Sequence, residues 1–444
     1  MATSIPGNID SVYFFMFPGW RDELRSNRWH YARRWARHHP VVLIQPELEL
    51  AEEPKTEPEP RIPGVTILSV RRPRQRPGVF AEDSARIIHQ LARHLLQARH
   101  ARPLFWSYNP LLFPAYAALP AILRIHHATE NYWDFAVQEP MLAELLPHAM
   151  AASDCVVAVS SGLEAAVRAH VPRARVWLLS NGCDYAEYAR AMPSSMLKAD
   201  SAGFERTAIY CGNINDRLDF ELLARAVRDH PRVLFALVGP VAGLSASDAV
   251  THQQILTAPN VRAYGPRPAE ELPGLYAAAD VGLIPYKRTP IIENNGFPLK
   301  ALEMTATGLP VVSTFSRPLQ EIEHVITLAR TKETFLAALA ATSRGELSAE
   351  RRSAMDAESR KRDYDRRFGE LLARVSSELP RRDRSVTQLD ALTETLPPES
   401  VLSAAIRFGE PWSETVQRCA RQGVRAALKR TRLPLFSTRR GGRE

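Results

Sequence analysis

Two runs of alternating strand and helix signals, separated by a stretch with little strand signal, constrain this 444-residue chain more than any other feature. In the first run, residues 11–17, 41–44, 65–70, 103–108, 121–126, 155–159 and 176–179 are short, apolar and β-prone. Segments 22–38, 85–100, 143–151 and the stretch after Leu163 carry helical patterning between them. Residues 51–61 are acidic and proline-rich and 71–78 are basic and proline-rich; both read as loops. The alternation fades over 184–206 and restarts with strands at 208–211, 233–238, 261–264, 281–284 and 310–314. Helices are expected at 220–228, 269–278 and 299–307. Strand–helix–strand repetition builds parallel sheets covered on both faces, so the prediction is an α/β protein with two doubly wound halves. The expected boundaries are 1–192 for the first domain, 193–206 for a linker, 207–345 for the second domain and 346–379 for helices that pack back on the first. Residues 380–444 are a basic tail containing Arg418, Arg421, Arg425, Lys429, Arg430 and Arg432.

Composition narrows the class. The chain is 45% hydrophobic and 24% charged, which is globular and not a disordered composition. Its formal charge of +8 suits an anionic partner. No arginine–glycine repeats or aromatic RNA-binding motifs occur, so nucleic acid is not expected. The four cysteines, Cys155, Cys183, Cys211 and Cys419, have neither metal-ligand spacing nor a disulfide pattern, and fit a reducing cytosol. The opening residues lack the basic and long apolar regions of a secretory signal, and no run is long enough for a membrane span. The expected location is cytoplasmic, with the basic tail and the 71–76 loop resting on an anionic inner membrane surface.

Ligands of doubly wound sheets bind beyond the carboxyl ends of the strands, so the loops after strands carry the argument. After the strand at 208–211 comes Gly212-Asn213-Ile214-Asn215-Asp216-Arg217, with Asp219 placed to cap the next helix. A glycine turn feeding a helix start suits a phosphate, and Arg217 suits a diphosphate. Further on, Asn295-Gly296-Phe297-Pro298-Leu299-Lys300 leads to Glu303. Lys300 and Glu303 share one helical face, pairing a cation for phosphate with a carboxylate for ribose hydroxyls.

The run GFPLKALEMTATGLPVVST, preceded by AAADVGLIPYK, resembles the donor-site signature of GT-B glycosyltransferases, and is most similar to the bacterial polysaccharide-type members of the glycosyltransferase 1/4 group. YCGNINDRLD resembles their opening strand and phosphate loop. NVRAYGPRPAEELPGLYAAADV resembles the segment lining the base pocket, around Gly265 and Arg267. SDCVVAVSSGLEAAV and VWLLSNGCDYAEY resemble the end of the acceptor domain. The resemblance spans residues 155–314. It implies a GT-B fold of two Rossmann-like domains facing a cleft, and sugar transfer from a nucleotide diphosphate-sugar to a saccharide or lipid-linked acceptor. Many retaining members carry glutamate, seven residues, then glutamate; here Glu303 is the second and Asn295 stands at the first, leaving stereochemistry open. No metal cofactor is expected, because such enzymes neutralise the leaving diphosphate with cations and helix ends.

The implied donor residues are Gly212, Asn213, Arg217, Gly265, Arg267, Asn295, Gly296, Lys300 and Glu303. In the first half, the segment 124–134 follows a strand, and His127 and Glu130 are the candidates for proton transfer at the acceptor. Trp20 and Arg21, after the first strand, are the candidates for acceptor contact, with Trp20 stacking on a sugar face. Two other functions fit the same architecture: a nucleotide-sugar epimerase, and a scaffold without activity, which Asn295 favours.

Overall fold

The computed structural model describes residues 8–379 except 24, 48–52, 76–78, 136–139 and 295–296, together with residues 399 and 403. The basic tail read from the sequence therefore lies outside the described residues, as do Cys419, Asn295 and Gly296.

Fourteen strands form two sheets among the described residues. The first holds β1 (Ser11–Phe15), β2 (Val41–Glu47), β3 (Lys55–Pro58), β4 (Val65–Arg71), β5 (Pro103–Ser107), β6 (Leu123–Ala128), β7 (Cys155–Ala158) and β8 (Val176–Leu178), in the order β3-β4-β2-β1-β5-β6-β7-β8. The second holds β9 (Arg206–Cys211), β10 (Val233–Val238), β11 (Val261–Gly265), β12 (Val281–Ile284), β13 (Val311–Thr314) and β14 (Thr327–Ala329), in the order β11-β10-β9-β12-β13-β14. Every pairing is parallel except β3 with β4. The central strands are buried, because helices cover both faces of a parallel sheet, while the edge strands β3, β8, β11 and β14 are partly exposed. Each sheet accordingly separates two cores, one on either face.

Each sheet reverses strand order once. The reversal falls between β1 and β5 in the first and between β9 and β12 in the second. Such points open a crevice at the strand ends. Local chemistry fixes the helices that rim it. Ser160 accepts from the Leu163 amide at 3.2 Å to start the helix Ser161–His170. Asp219 accepts from the Leu222 amide at 2.9 Å to start Phe220–Asp229, the cap expected of it.

Three expectations change. Residues 51–61 are not wholly loop: Lys55–Pro58 pairs antiparallel with β4. This edge strand is mostly exposed, so lysine, glutamate and proline serve it without the apolar alternation that marks a covered strand. The short β14 carried no signal of its own. Within the stretch read as linker, Ser195–Asp200 is a helix that buries Leu197 in the second core.

The chain crosses between the sheets twice, and the crossings touch. The Cys183 amide donates to the Arg362 carbonyl at 3.1 Å, and the Tyr364 amide donates back to the Cys183 carbonyl at 3.0 Å. Before this point the helix Ala349–Lys361 places Met355 in the second core. After it the helix Tyr364–Glu378 buries Phe368, Leu371 and Val375 in the first. Arg362 is held at the crossing by Glu358 at 2.5 Å, Ser180 at 2.9 Å and Glu321 at 3.3 Å. A buried guanidinium with this many acceptors is a rigid joint, since losing one partner strands a buried charge.

Candidate active site

A cavity of about 640 Å³ lies where the two strand-order reversals face each other. The second-sheet wall begins at Gly212, whose φ of +136° is one that L side chains rarely adopt. A Cβ there would strike the Lys300 ammonium. Gly239, at φ +140°, lets β10 turn against this loop, and a Cβ there would overlap the Gly212 carbonyl. The two glycines let three βα turns converge: Gly212 donates to Val238 at 2.9 Å and Gly239 donates to Gly265 at 2.8 Å.

Lys300 sits in the first turn of the helix Leu299–Ala306. Its ammonium lies 4.1 Å from the Tyr210 ring centre and 5.4 Å from that of Tyr286. Cation–π contact holds the charge without neutralising it, which keeps it available to an anion. One turn on, Glu303 faces the Tyr188 and Tyr276 hydroxyls; burial pushes its carboxyl up to about 7, against the pull of those hydroxyls and of Lys300.

The first-sheet wall closes on this from across the cleft. Glu130, after β6, approaches the Arg217 guanidinium at 3.6 Å. Burial raises the Glu130 carboxyl and Arg217 draws it back down. Arg25 bridges the two halves, reaching Glu187 at 2.7 Å and also Glu270. Arg28 is held by Glu23 at 2.6 Å. At the floor, Asp184 takes Arg34 at 2.5 Å, with His30 at 3.3 Å. Burial would raise the Asp184 carboxyl, but His30 and Arg34 hold it far below the usual carboxylate range. The Asn181 side chain donates to the Phe297 carbonyl at 2.9 Å and accepts from Asn27 at 3.3 Å, tying the loop before Lys300 to the first half.

Of the residues singled out from sequence, Glu130, Gly212, Asn213, Arg217, Lys300 and Glu303 line this one cavity. Gly265 and Arg267 do not. Gly265 ends β11 at φ +65°, and Arg267 turns away toward Glu271 at 3.7 Å and Met196 at 3.6 Å. The same segment reaches the cavity through Ala269, Leu272 and Tyr276 instead.

The first-half candidates are redistributed. Trp20 is fully buried, stacks on Trp29 with ring centres 5.9 Å apart and donates its indole N–H to Glu59. It is a core residue and offers no face to a sugar. Arg21 is exposed and paired with Glu57 at 2.5 Å, away from the cavity lining. His127 is also in the core. It stacks on Tyr108 with ring centres 5.0 Å apart, its Nδ1 lies 3.1 Å from the Tyr108 hydroxyl, and burial drops it to about 3. Tyr108 lines the cavity and His127 stands behind it, so the neutral imidazole has no direct approach to a ligand.

Sequence reasoning missed Arg25, Arg28, Asp184 and Tyr188. Asp184 and Tyr188 lie in the quoted segment VWLLSNGCDYAEY, two and six residues after Asn181-Gly182, and that spacing was the available signal. Arg25 and Arg28 stand among other arginines and carry no distinguishing pattern. Among the described residues no group of three or more His, Cys, Asp and Glu is arranged to hold a metal, and no helix is long and apolar enough to cross a membrane.

Comparison with known proteins meets this geometry from both sides. The model of the Glycosyltransferase Family 4 domain matches residues 29–187, and that of Glycosyl transferases group 1 matches residues 205–342. Together they cover the second-sheet wall of the cavity and the part of the first-sheet wall that follows residue 28. The chain belongs to the glycosyltransferases of the group 1 and family 4 kind. The Bacillus subtilis protein assigned to teichuronic acid biosynthesis as the glycosyltransferase TuaH is 34% identical over 143 residues, 32% of this chain. The match spans about a third of that curated relative, 35% of its length. Solved structures share the fold of this chain, two synthases among them. Sucrose-phosphate synthase from Thermosynechococcus elongatus superposes with a TM-score of 0.62 at 17% identity, over 84% of this chain and 98% of that one. A UDP-forming α,α-trehalose-phosphate synthase from Burkholderia xenovorans, in complex with glucose-6-phosphate, does so with 0.62 at 13% identity, over 83% and 99%. Both likenesses show the two-domain GT-B architecture.

Proposed function

We propose that this chain transfers a sugar from a nucleotide diphosphate-sugar to a saccharide or lipid-linked saccharide, in the assembly of a cell-surface polysaccharide. The observation that carries the reading is the convergence of Gly212, Arg217, Lys300 and Glu303 in one interdomain cavity that also presents Glu130 from the opposite wall. The biosynthetic setting is supported by the teichuronic acid assignment of the curated relative.

In this reading the second half holds the donor. Lys300 and Arg217 take the diphosphate, Glu303 accepts from the ribose hydroxyls, and the bare backbone at Gly212 lets the phosphates approach closely. Positive charge placed where the leaving diphosphate gathers electrons lowers the barrier without a metal. The acceptor oxygen forms its bond to the anomeric carbon as the bond from that carbon to the diphosphate oxygen breaks. The electron pair departs with the nucleotide, and Glu130 accepts the acceptor's proton. Its burial suits it to this task, because a carboxylate made more basic is a better acceptor near neutral pH. When the diphosphate engages Arg217, Glu130 loses its partner and is freed to do so. The ion pairs from Arg25 and the joint at Arg362 keep the halves together around the donor and exclude water.

The test is thermal shift against UDP, GDP, ADP, TDP and CMP, then the corresponding sugars. A nucleotide that raises Tm in the wild type and not in Arg217→Ala supports the donor site and names the base. Absence of a shift with every nucleotide at millimolar concentration would remove the reading.

A further inference from the structure

Beside the main cavity lies a second chamber of about 740 Å³. The two share Glu130, Asn215, Arg217, Tyr286 and Phe297 in their linings, so whatever holds Arg217 in the first has a continuation into the second. A volume of this size accommodates a further sugar-sized group.

The chamber has three kinds of wall. Ser245, Thr289 and Ser316 offer hydroxyl groups. Ile291, Ile292 and Pro298 offer apolar surface. This mixture matches a sugar ring, which has hydroxyls at its rim and C–H groups on its faces. The third kind is charge. Glu130, Asp216 and Asp248 stand against Arg217 and Lys287, three carboxylates to two cations among the described lining residues. Both cations are committed. Lys287 pairs with Asp248 at 2.7 Å, which holds the Asp248 carboxyl below its ordinary value. Arg217 approaches Glu130 at 3.6 Å and is the cation that a diphosphate would claim. A donor in the first cavity therefore leaves the second chamber more negative than before.

We infer that the second chamber is a subsite for a neutral sugar ring and discriminates against sugars that carry a carboxylate or phosphate. The inference rests on the transferase reading. With the donor on Arg217, an anionic sugar placed here meets the carboxylates of Glu130 and Asp216, while Lys287 is already paired with Asp248, and like-charge juxtaposition disfavours it. The ring is the one being transferred or the terminal ring of the acceptor; the chemistry is the same for both.

Two pairs of probes differ by one carboxylate and separate these sources. The donor arm measures binding of UDP-glucose and UDP-glucuronate. The acceptor arm measures turnover with p-nitrophenyl glucoside and p-nitrophenyl glucuronide, using the donor identified by thermal shift. The wild type is expected to favour the neutral member by about tenfold or more in one arm, and that arm names the ring. Asp248→Asn, which removes one carboxylate and releases Lys287, is expected to shrink that preference by about fivefold or more, with affinity for the bare nucleoside diphosphate unchanged. Ile291→Trp, which fills the chamber, is expected to weaken both members of the pair while sparing the nucleoside diphosphate. Equal or absent discrimination by the wild type in both arms overturns the inference, as does a preference that Asp248→Asn leaves unmoved. A wild type that binds no nucleoside diphosphate fails earlier and removes the transferase reading together with this subsite.

Discussion

The two walls of the cavity are built in opposite ways. The second-sheet side also draws on residues 269–276 and 286, but its candidate ligand-binding residues are local: Gly212, Asn213 and Arg217 fall within six consecutive residues, and Lys300 and Glu303 sit one helical turn apart. On the first-sheet side, the contributing residues come from 17–30, 108, 129–132 and 181–184, and they meet only when separate elements fold together, while Glu187 and Tyr188 stand on a linking helix that packs on the second core. A site for a diphosphate can be written in one turn and one helix end, because backbone amides and a short-range cation supply most of it. A wall that must match an acceptor has no such local template. It is assembled from long arginine and aromatic side chains whose direction depends on packing.

This contrast can be tested by breaking each wall in turn. Trp20 gives the largest expected effect. If it is core, Trp20→Ala lowers stability by about 3–5 kcal/mol, measured by denaturant unfolding, and leaves acceptor KM at low temperature unchanged. A large KM increase with little loss of stability would restore it to the acceptor wall. Arg217→Ala comes next. Removing one charge-assisted partner of the diphosphate should cost about 2 kcal/mol, or roughly thirtyfold in nucleotide affinity by calorimetry. Loss of unfolding stability without loss of nucleotide affinity would make it a structural residue.

Glu303 sharpens the comparison through pH. Its carboxyl is raised to about 7 in the folded chain, above the unfolded value near 4.5. The folded state therefore holds the proton more tightly. Stability from this group is fully present below about pH 4.5 and is lost as pH rises toward 7. Nucleotide binding should move in the opposite direction, because only the ionised carboxylate accepts from both ribose hydroxyls. Affinity is expected to rise about tenfold from pH 6 to pH 8, and Glu303→Gln should flatten that profile. A variant that retains the full profile would place the titration elsewhere. Arg25→Ala is expected to have the smallest effect. Its ion pairs with Glu187 and Glu270 are partly exposed, so stability should fall by about 1 kcal/mol or less. Its distinctive consequence is a wider cleft, read as a larger radius of gyration in solution scattering before nucleotide is added.

Most of the architecture was legible in the chain. Buried parallel strands are short runs such as Val233–Val238, apolar on both faces, and they announce themselves without reference to partners. The strands that escaped were Lys55–Pro58, an exposed edge, and Thr327–Ala329, three residues long. Neither buries enough surface to impose a pattern. The second-sheet wall of the cavity was equally legible, through glycine at a turn and a cation and carboxylate on one helical face. His127 and Trp20 misled for one reason: His127 lies near the end of β6 and Trp20 follows β1, both strands point at the cleft, and position along a strand does not reveal which neighbour covers the side chain. Tyr108 covers the histidine, and Trp29 with Arg61 covers the tryptophan.

Most of the element order, the two sheets and the glycine turn after β9 were thus decided by the amino-acid sequence alone, because each depends on contacts within a few residues or on the period of apolar positions. Three further features were decided by tertiary structure. These are the approach of Glu130 to Arg217 across the cleft, the gathering of His30 and Arg34 on Asp184, and the division of the C-terminal helices, all expected on the first domain, between the second core for Ala349–Lys361 and the first for Tyr364–Glu378. Each joins residues from distant parts of the chain, and direction, burial and charge pairing at such a meeting exist only after the intervening chain has folded.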